Sequence, residues 1–184
     1  MDLKDQSTKN LLDFKKILDQ LGVYFWLDCG TLLGAVRDND FCEDDENDVD
    51  LCSRIEDMSR VSVIIEMAED IGFKLYMHWP TQIAMKRGDC KIDLFFNEYD
   101  WVRDIYWTIL YKGNAIDKYV VVPGKHYKGV GGIVKFKGEV FNTPAYCTEY
   151  LTLRYGDWKT KVHRSNYSCY NKDQNKLVVN KLFN

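Results

Sequence analysis

An α+β fold, with a mixed sheet and helices packed mainly on one face, is what the order of apolar patterns along this chain predicts. Two observations carry it. Stretches with helical spacing lie near both ends and between the early strand-like runs, while the middle of the chain holds three strand candidates in close succession. At 184 residues, 46% hydrophobic and 29% charged, the chain suits one compact domain spanning 1–184, with neither a repeat nor a linker in it.

The opening segment, STKNLLDFKKILDQLG, sets Leu11, Leu12, Phe14, Ile17, Leu18 and Leu21 on one helical stripe. Ser7 or Thr8 is expected to cap it and Gly22 to end it. VYFWLD (23–28) follows as a buried β-branched and aromatic strand, and GTLLGAVR (30–37) reads as a tight turn opening a short helix. DVDLCS is a further strand, and IEDMSRVSVIIEMAEDIG an amphipathic helix closed by Gly72. FKLYMH, QIAMKR and KIDLFF are strands separated by turn signals at Trp79-Pro80 and Gly88-Asp89. WTILYK, KYVVV and the hairpin GIVKFKGEVFN, turning near Lys137-Gly138, complete the strands. PAYCTEYLTLRYG is expected to be helical, with Pro144 in its first turn. Beyond Trp158 no period is visible.

Composition narrows the function classes. A net charge of −3 argues against a general nucleic-acid binder, although a local basic patch can still serve one phosphorylated ligand. No stretch is long or apolar enough for a transmembrane segment, and MDLKDQSTKN lacks the apolar run of a signal peptide. A cytoplasmic protein beginning at Met1 is the expectation. The six cysteines form no C-x-x-C pair and are expected to be reduced, structural thiols.

The acid run CEDDENDVD (42–50) holds six carboxylates in nine positions. Glu43, Asp44 and Asp45 read as a solvated loop. Asp48 and Asp50 do not, because strand alternation points both to one face while Val49 and Leu51 point into the core. Two such charges about 4 Å apart repel by roughly 4 kcal/mol at an effective dielectric near 20, and Mg²⁺ or Mn²⁺ reverses that sign. Asp93, between Ile92 and Leu94 on another strand, is a third acid on an apolar background, costly unless paired or metal-bound. An EF-hand fits badly, since the cluster has no glycine for its sharp turn. Upstream, Gly30 allows close approach of a ligand to the backbone, Thr31 offers a hydroxyl and an amide at a helix N-terminus, and Arg37 can pair with phosphate oxygens. Lys125 and His126, in the glycine-rich basic stretch GKHYKGVGG, suit either a loop over an anionic ligand or an exposed hairpin loop.

The succession WLDCGTLLGAVR, DVDL, KIDLFF and EYLTLRYGDW resembles the LicD family, which includes the fukutin-related proteins and belongs to the nucleotidyltransferase-fold superfamily. The resemblance runs from about Tyr24 to Trp158 and implies a nucleotidyltransferase-like sheet. It further implies a metal-dependent phosphotransferase that moves phosphocholine or a similar alcohol phosphate from a CDP-activated donor to a glycan or other hydroxyl acceptor. By position, Asp48, Asp50 and Asp93 would be the metal ligands and catalytic carboxylates, Gly30 and Thr31 would face the donor phosphates, and Arg37 would lie close to the donor. The chain departs from the family pattern before the acids, where FCEDDEN replaces a usual Pro-Trp. The same three acids would equally serve transfer of a nucleotide from an NTP, and a non-catalytic nucleotide- or metal-binding regulator is a third reading. Tyr155 and Trp158 are expected to pack rather than to touch ligand.

Overall fold

The structure, a computed structural model, describes residues 2–112, 115–128, 131–162 and 178–179. His163, Cys169 and most of the polar tail lie outside the described residues. Helix α1 (Leu3–Gln20) buries Leu11, Phe14, Ile17 and Leu18 as its stripe predicts. It begins a turn earlier than expected. Asp2 holds the N-cap position, Ser7 is buried within the helix, and the Thr8 hydroxyl donates back to the Lys4 carbonyl at 2.7 Å. No glycine or proline precedes Ser7, so nothing stops the helix from extending upstream. Gly22, at φ +64°, ends it with its N–H on the Asp19 carbonyl.

Strand β1 (Phe25–Leu27) and helix α2 (Cys29–Arg37) follow, then β2 (Asp48–Arg54). The helix expected over 55–72 divides into a 3₁₀ turn (Ile55–Arg60) and α3 (Val61–Asp70), and Gly72 at φ +92° closes it. Strands β3 (Lys74–Trp79), β4 (Gln82–Arg87) and β5 (Cys90–Asp100) are the three expected in succession. Strands β6 (Ile105–Lys112) and β7 (Ala115–Pro123) form a hairpin, followed by the short helix α4 (Gly124–Tyr127). The β8 (Ile133–Phe136) and β9 (Glu139–Asn142) hairpin turns at Lys137 and Gly138, both at positive φ. Helix α5 (Cys147–Tyr155) starts three residues after Pro144, not on it, because Tyr146 adopts a left-handed conformation at the N-cap. Two residues of the tail, Val178–Val179, pair with β7 as β10.

The main sheet has eight strands in the order β1-β2-β5-β6-β7-β10, with β4 also on β5 and β3 on β4. Only β2 and β5 run parallel, so the sheet is mixed and mostly antiparallel. The first half of β5 lies between β2 and β4, and its end (Glu98–Asp100) pairs with β6. Helix α1 packs against β2 and β5, and α3 against α1, β3 and β4. Arg87 fastens these layers, donating to Asn10, Asp13 and the Ile71 carbonyl at 2.8–3.0 Å while stacking 4.3 Å from the Phe73 ring centre. Among the described residues, no helix is long and apolar enough to cross a membrane.

Candidate active site

The parallel ladder of β2 and β5 sets the candidate site. Its register places Asp48 opposite Lys91 and Asp50 opposite Asp93. Residues paired across a ladder share a face, so all four side chains emerge on one side. Val49, Leu51, Ile92 and Leu94, which alternate with them, are fully buried. One oxygen from each of Asp48, Asp50 and Asp93 lies within 4.8 Å of the others. The cluster is graded in depth: Asp50 is 8% and Asp93 4% exposed, while Asp48 and Lys91 are half-buried at its mouth.

Helix α2 is docked against this face by its first turn. The Thr31 hydroxyl accepts the Asp50 N–H at 2.9 Å, and the Asp28 N–H donates to the Asp50 carbonyl at 3.2 Å. Thr31 is buried, and its hydroxyl holds β2 by accepting from the Asp50 amide. Gly30 does border the acids. A Cβ there would stand 2.4 Å from Asp45 Oδ2 and 3.9 Å from Asp50 Oδ2. Asp45 is therefore no solvated loop residue: the chain after α2 folds back over the helix and brings this fourth carboxylate to the Gly30 turn. The fold-back needs Gly34, where a Cβ would lie 2.4 Å from the Asp40 carbonyl. Glu43 and Asp44 are exposed, as expected.

Behind the turn lies a buried polar network that the sequence did not announce. Asp28 accepts from the Cys29 N–H (2.7 Å), Tyr150 (2.6 Å), Tyr127 (2.8 Å) and the Cys52 thiol (3.1 Å). Arg154, 2% exposed, donates to the Tyr150 hydroxyl at 2.9 Å and to Cys29 Sγ at 3.0 Å. Burial pushes the Tyr127, Tyr150 and Cys52 groups well above their ordinary values, with the Asp28 charge adding to each. No disulfide joins Cys29, Cys42, Cys52, Cys90 and Cys147 to one another.

The other expected ligand residues have protein partners of their own. Arg37, at the far end of α2, donates from Nε and Nη2 to the one oxygen Oδ2 of Asp38, at 3.0 and 2.8 Å. Lys125 pairs with Glu149, and buried His126 sets Nδ1 2.9 Å from the Ala145 carbonyl beside the Tyr150 ring. Both lie against α5 and its approach. Tyr155 and Trp158 pack on the core.

Electrostatics single out Asp50 and Asp93. Burial, then the charges of Asp48, Asp93 and Asp45, push the Asp50 carboxyl well above the usual range. Burial also raises Asp93, to about 6, with Lys91 opposing and Asp48 reinforcing the shift. Lys91 Nζ lies 2.7 Å from Asp93 Oδ2 and 3.2 Å from Asp48 Oδ1. Asp93 Oδ1 is buried and receives no hydrogen bond among the described residues. Among the described residues, Lys91 is the one ammonium paired with the group formed by Asp48, Asp50 and Asp93, so three carboxylates meet one cation in a half-closed place. A hard divalent cation, which takes oxygen ligands, fits that donor set. Lys91 was missed in the sequence, although alternation from Asp93 places it on the same face.

Comparison with known families matches residues 22–128 to the LicD/FKTN/FKRP nucleotidyltransferase domain. The chain belongs to the LicD family. All three acids of this LicD-family chain, and Gly30, fall inside the matched span. No curated protein sequence matches. Among solved structures, the solution structure of the antibiotic-resistance factor ANT(2'')-Ia is 13% identical with a TM-score of 0.52, over 85% of this chain and 80% of that one. A crystal structure of ANT(2'')-Ia in complex with adenylyl-2''-tobramycin is 13% identical with a TM-score of 0.46, over 76% of this chain and 68% of that one. The LicD-family chain thus has a nucleotidyltransferase-like fold and stands among transferases.

Proposed function

We propose that this LicD-family chain is a phosphotransferase that moves an alcohol phosphate, such as phosphocholine, from a CDP-activated donor to a hydroxyl acceptor, a glycan among the candidates. The observation that supports it most is the convergence of Asp48, Asp50 and Asp93 on one sheet face beside the Gly30 turn, within a LicD domain. Mg²⁺ or Mn²⁺, held by those three carboxylates, would supply the positive charge that a diphosphate donor and its leaving group require. The chain's own residues do the rest. Gly30 leaves room for the donor to approach the backbone, and Thr31 keeps β2 in place by holding the Asp50 amide. Asp93, buried beside Asp50, would orient the acceptor hydroxyl and accept its proton as the hydroxyl attacks. The half-buried mouth at Asp48 and Lys91 gives the reactants entry.

The test is thermal melting of the full chain with Mg²⁺ or Mn²⁺ and a panel of CDP-alcohols and NTPs, followed by product analysis. A CDP-alcohol at a hundredfold excess over its dissociation constant should add about 2.7 kcal/mol of apparent stability. Turnover should release CMP. A shift with NTPs alone, with pyrophosphate as product, replaces this reading with nucleotidyl transfer. Ligand binding without turnover favours the non-catalytic regulator. Asp48→Asn should abolish transfer and keep the circular dichroism spectrum; unchanged turnover would remove the carboxylates from the mechanism.

A further inference from the structure

In the transfer reading Lys91 only borders the entry, yet it is the one basic side chain paired to Asp48 and Asp93 among the described residues. Its position is dictated twice over. The β2–β5 register sets it opposite Asp48, and alternation along β5 sets it on the same face as Asp93, two residues on. Its ammonium therefore stands between the two carboxylates, 3.2 Å from one and 2.7 Å from the other. A divalent ion bound by these acids would need their oxygens at about 2.0–2.2 Å and would occupy much of the same space. Two cations cannot share it at that distance without strong repulsion. The lysine has a way out: its side chain is 26% exposed, on a flexible four-carbon stem.

We propose that Lys91 is a resident counter-cation of the cluster, holding Asp48 and Asp93 together until a divalent ion displaces its ammonium. This rests on the reading of Asp48, Asp50 and Asp93 as ion ligands. Lys91 then has two opposed effects. It steadies the ion-free protein by offsetting the carboxylate repulsion, and it weakens ion binding because the ion must compete with it. A lysine that merely positioned Asp93 for the ion would act in one direction only, and its loss would weaken binding.

The experiment compares Mn²⁺ binding to the wild-type chain and to Lys91→Met by calorimetry and by the electron paramagnetic resonance of free Mn²⁺, with melting curves in chelator and in Mn²⁺. Lys91→Met should bind Mn²⁺ at least about tenfold more tightly, since a competing positive charge is gone. It should melt below wild type in chelator, with the gap closing or reversing in Mn²⁺. Lys91→Gln, which removes the charge and keeps a hydrogen-bond donor for Asp93, gives the same comparison should the methionine variant fold poorly. Lys91→Arg, which keeps the charge, should stay close to wild type in affinity. Equal or weaker Mn²⁺ binding by both neutral variants overturns the counter-cation role and leaves the ion site standing. No saturable binding by any of the proteins overturns the ion-site reading, and this role with it.

Discussion

Gly30 is the residue on which the approach to the acids turns. Its missing side chain leaves Asp45 and Asp50 in contact range of the α2 turn, and any Cβ would enter that space. The obstacle at 2.4 Å is the tip of a movable carboxylate, not backbone, so Gly30→Ala should fold with a loss of about 1 kcal/mol or less. Donor binding should fall about tenfold or more, because the methyl group and the displaced Asp45 both narrow the approach. Urea denaturation and a donor titration check the two halves separately. Lys91 and Asp45 also show what was readable at this scale. Lys91 was legible by counting two residues back from Asp93. Asp45 was not, since its inward turn depends on how the loop crosses Gly34, a contact between residues that no local pattern connects.

At the scale of elements, α2 is held from two sides, by β2 through Thr31 and by α4 and α5 through Asp28. The latter contacts span 99 and 122 residues, too far apart for any local pattern to mark them. Tyr150→Phe removes a hydroxyl that donates to Asp28 and accepts from Arg154, and should cost about 1–3 kcal/mol in chemical denaturation. Arg154→Met leaves Asp28 buried without its cationic neighbour 3.8 Å away, and should cost about 3–5 kcal/mol. Both variants should also reduce donor affinity, since the α2 turn loses its backing. Element identity was otherwise well marked by period: every expected strand exists, and alternation sorted the inward from the outward residues of β2 correctly. Boundaries were less legible. The starts of α1 and α5 depend on cap conformations at Asp2 and Tyr146 that side-chain identity alone does not dictate.

For the whole molecule, the acid cluster makes stability depend on pH in an unusual direction. The Asp93 carboxyl is pushed up to about 6 in the folded chain, above its unfolded value of about 3.9. Between those values the folded state binds more protons than the unfolded one, so stability falls as pH rises. Its contribution is fully present below about pH 4 and lost above about pH 6, amounting to about 3 kcal/mol at most. Asp50, raised for the same reasons, extends the trend. Asp40, held down to about 2 by Lys137 and Lys4 against the effect of burial, acts oppositely, losing its contribution as pH falls through that value. Denaturation in chelator, wild type against Asp93→Asn, isolates the falling component, which the variant should lack. Saturating Mn²⁺ should flatten it in wild type as well, because bound carboxylates stay ionised.

The β2–β5 register carries one more implication. Asp50 faces Asp93 because two strands lie in a ladder, and β5 is gripped on its other side by β4 and at its end by β6. The distance between the acids is therefore ruled off by the pleat, in fixed steps that no loop can stretch. A chain built this way has little freedom to adapt by moving its carboxylates. Its adjustable parts are the pieces set around them, Lys91 on the ladder, Asp45 on its loop and the bare backbone at Gly30, like the stops around a gauge whose scale is already engraved.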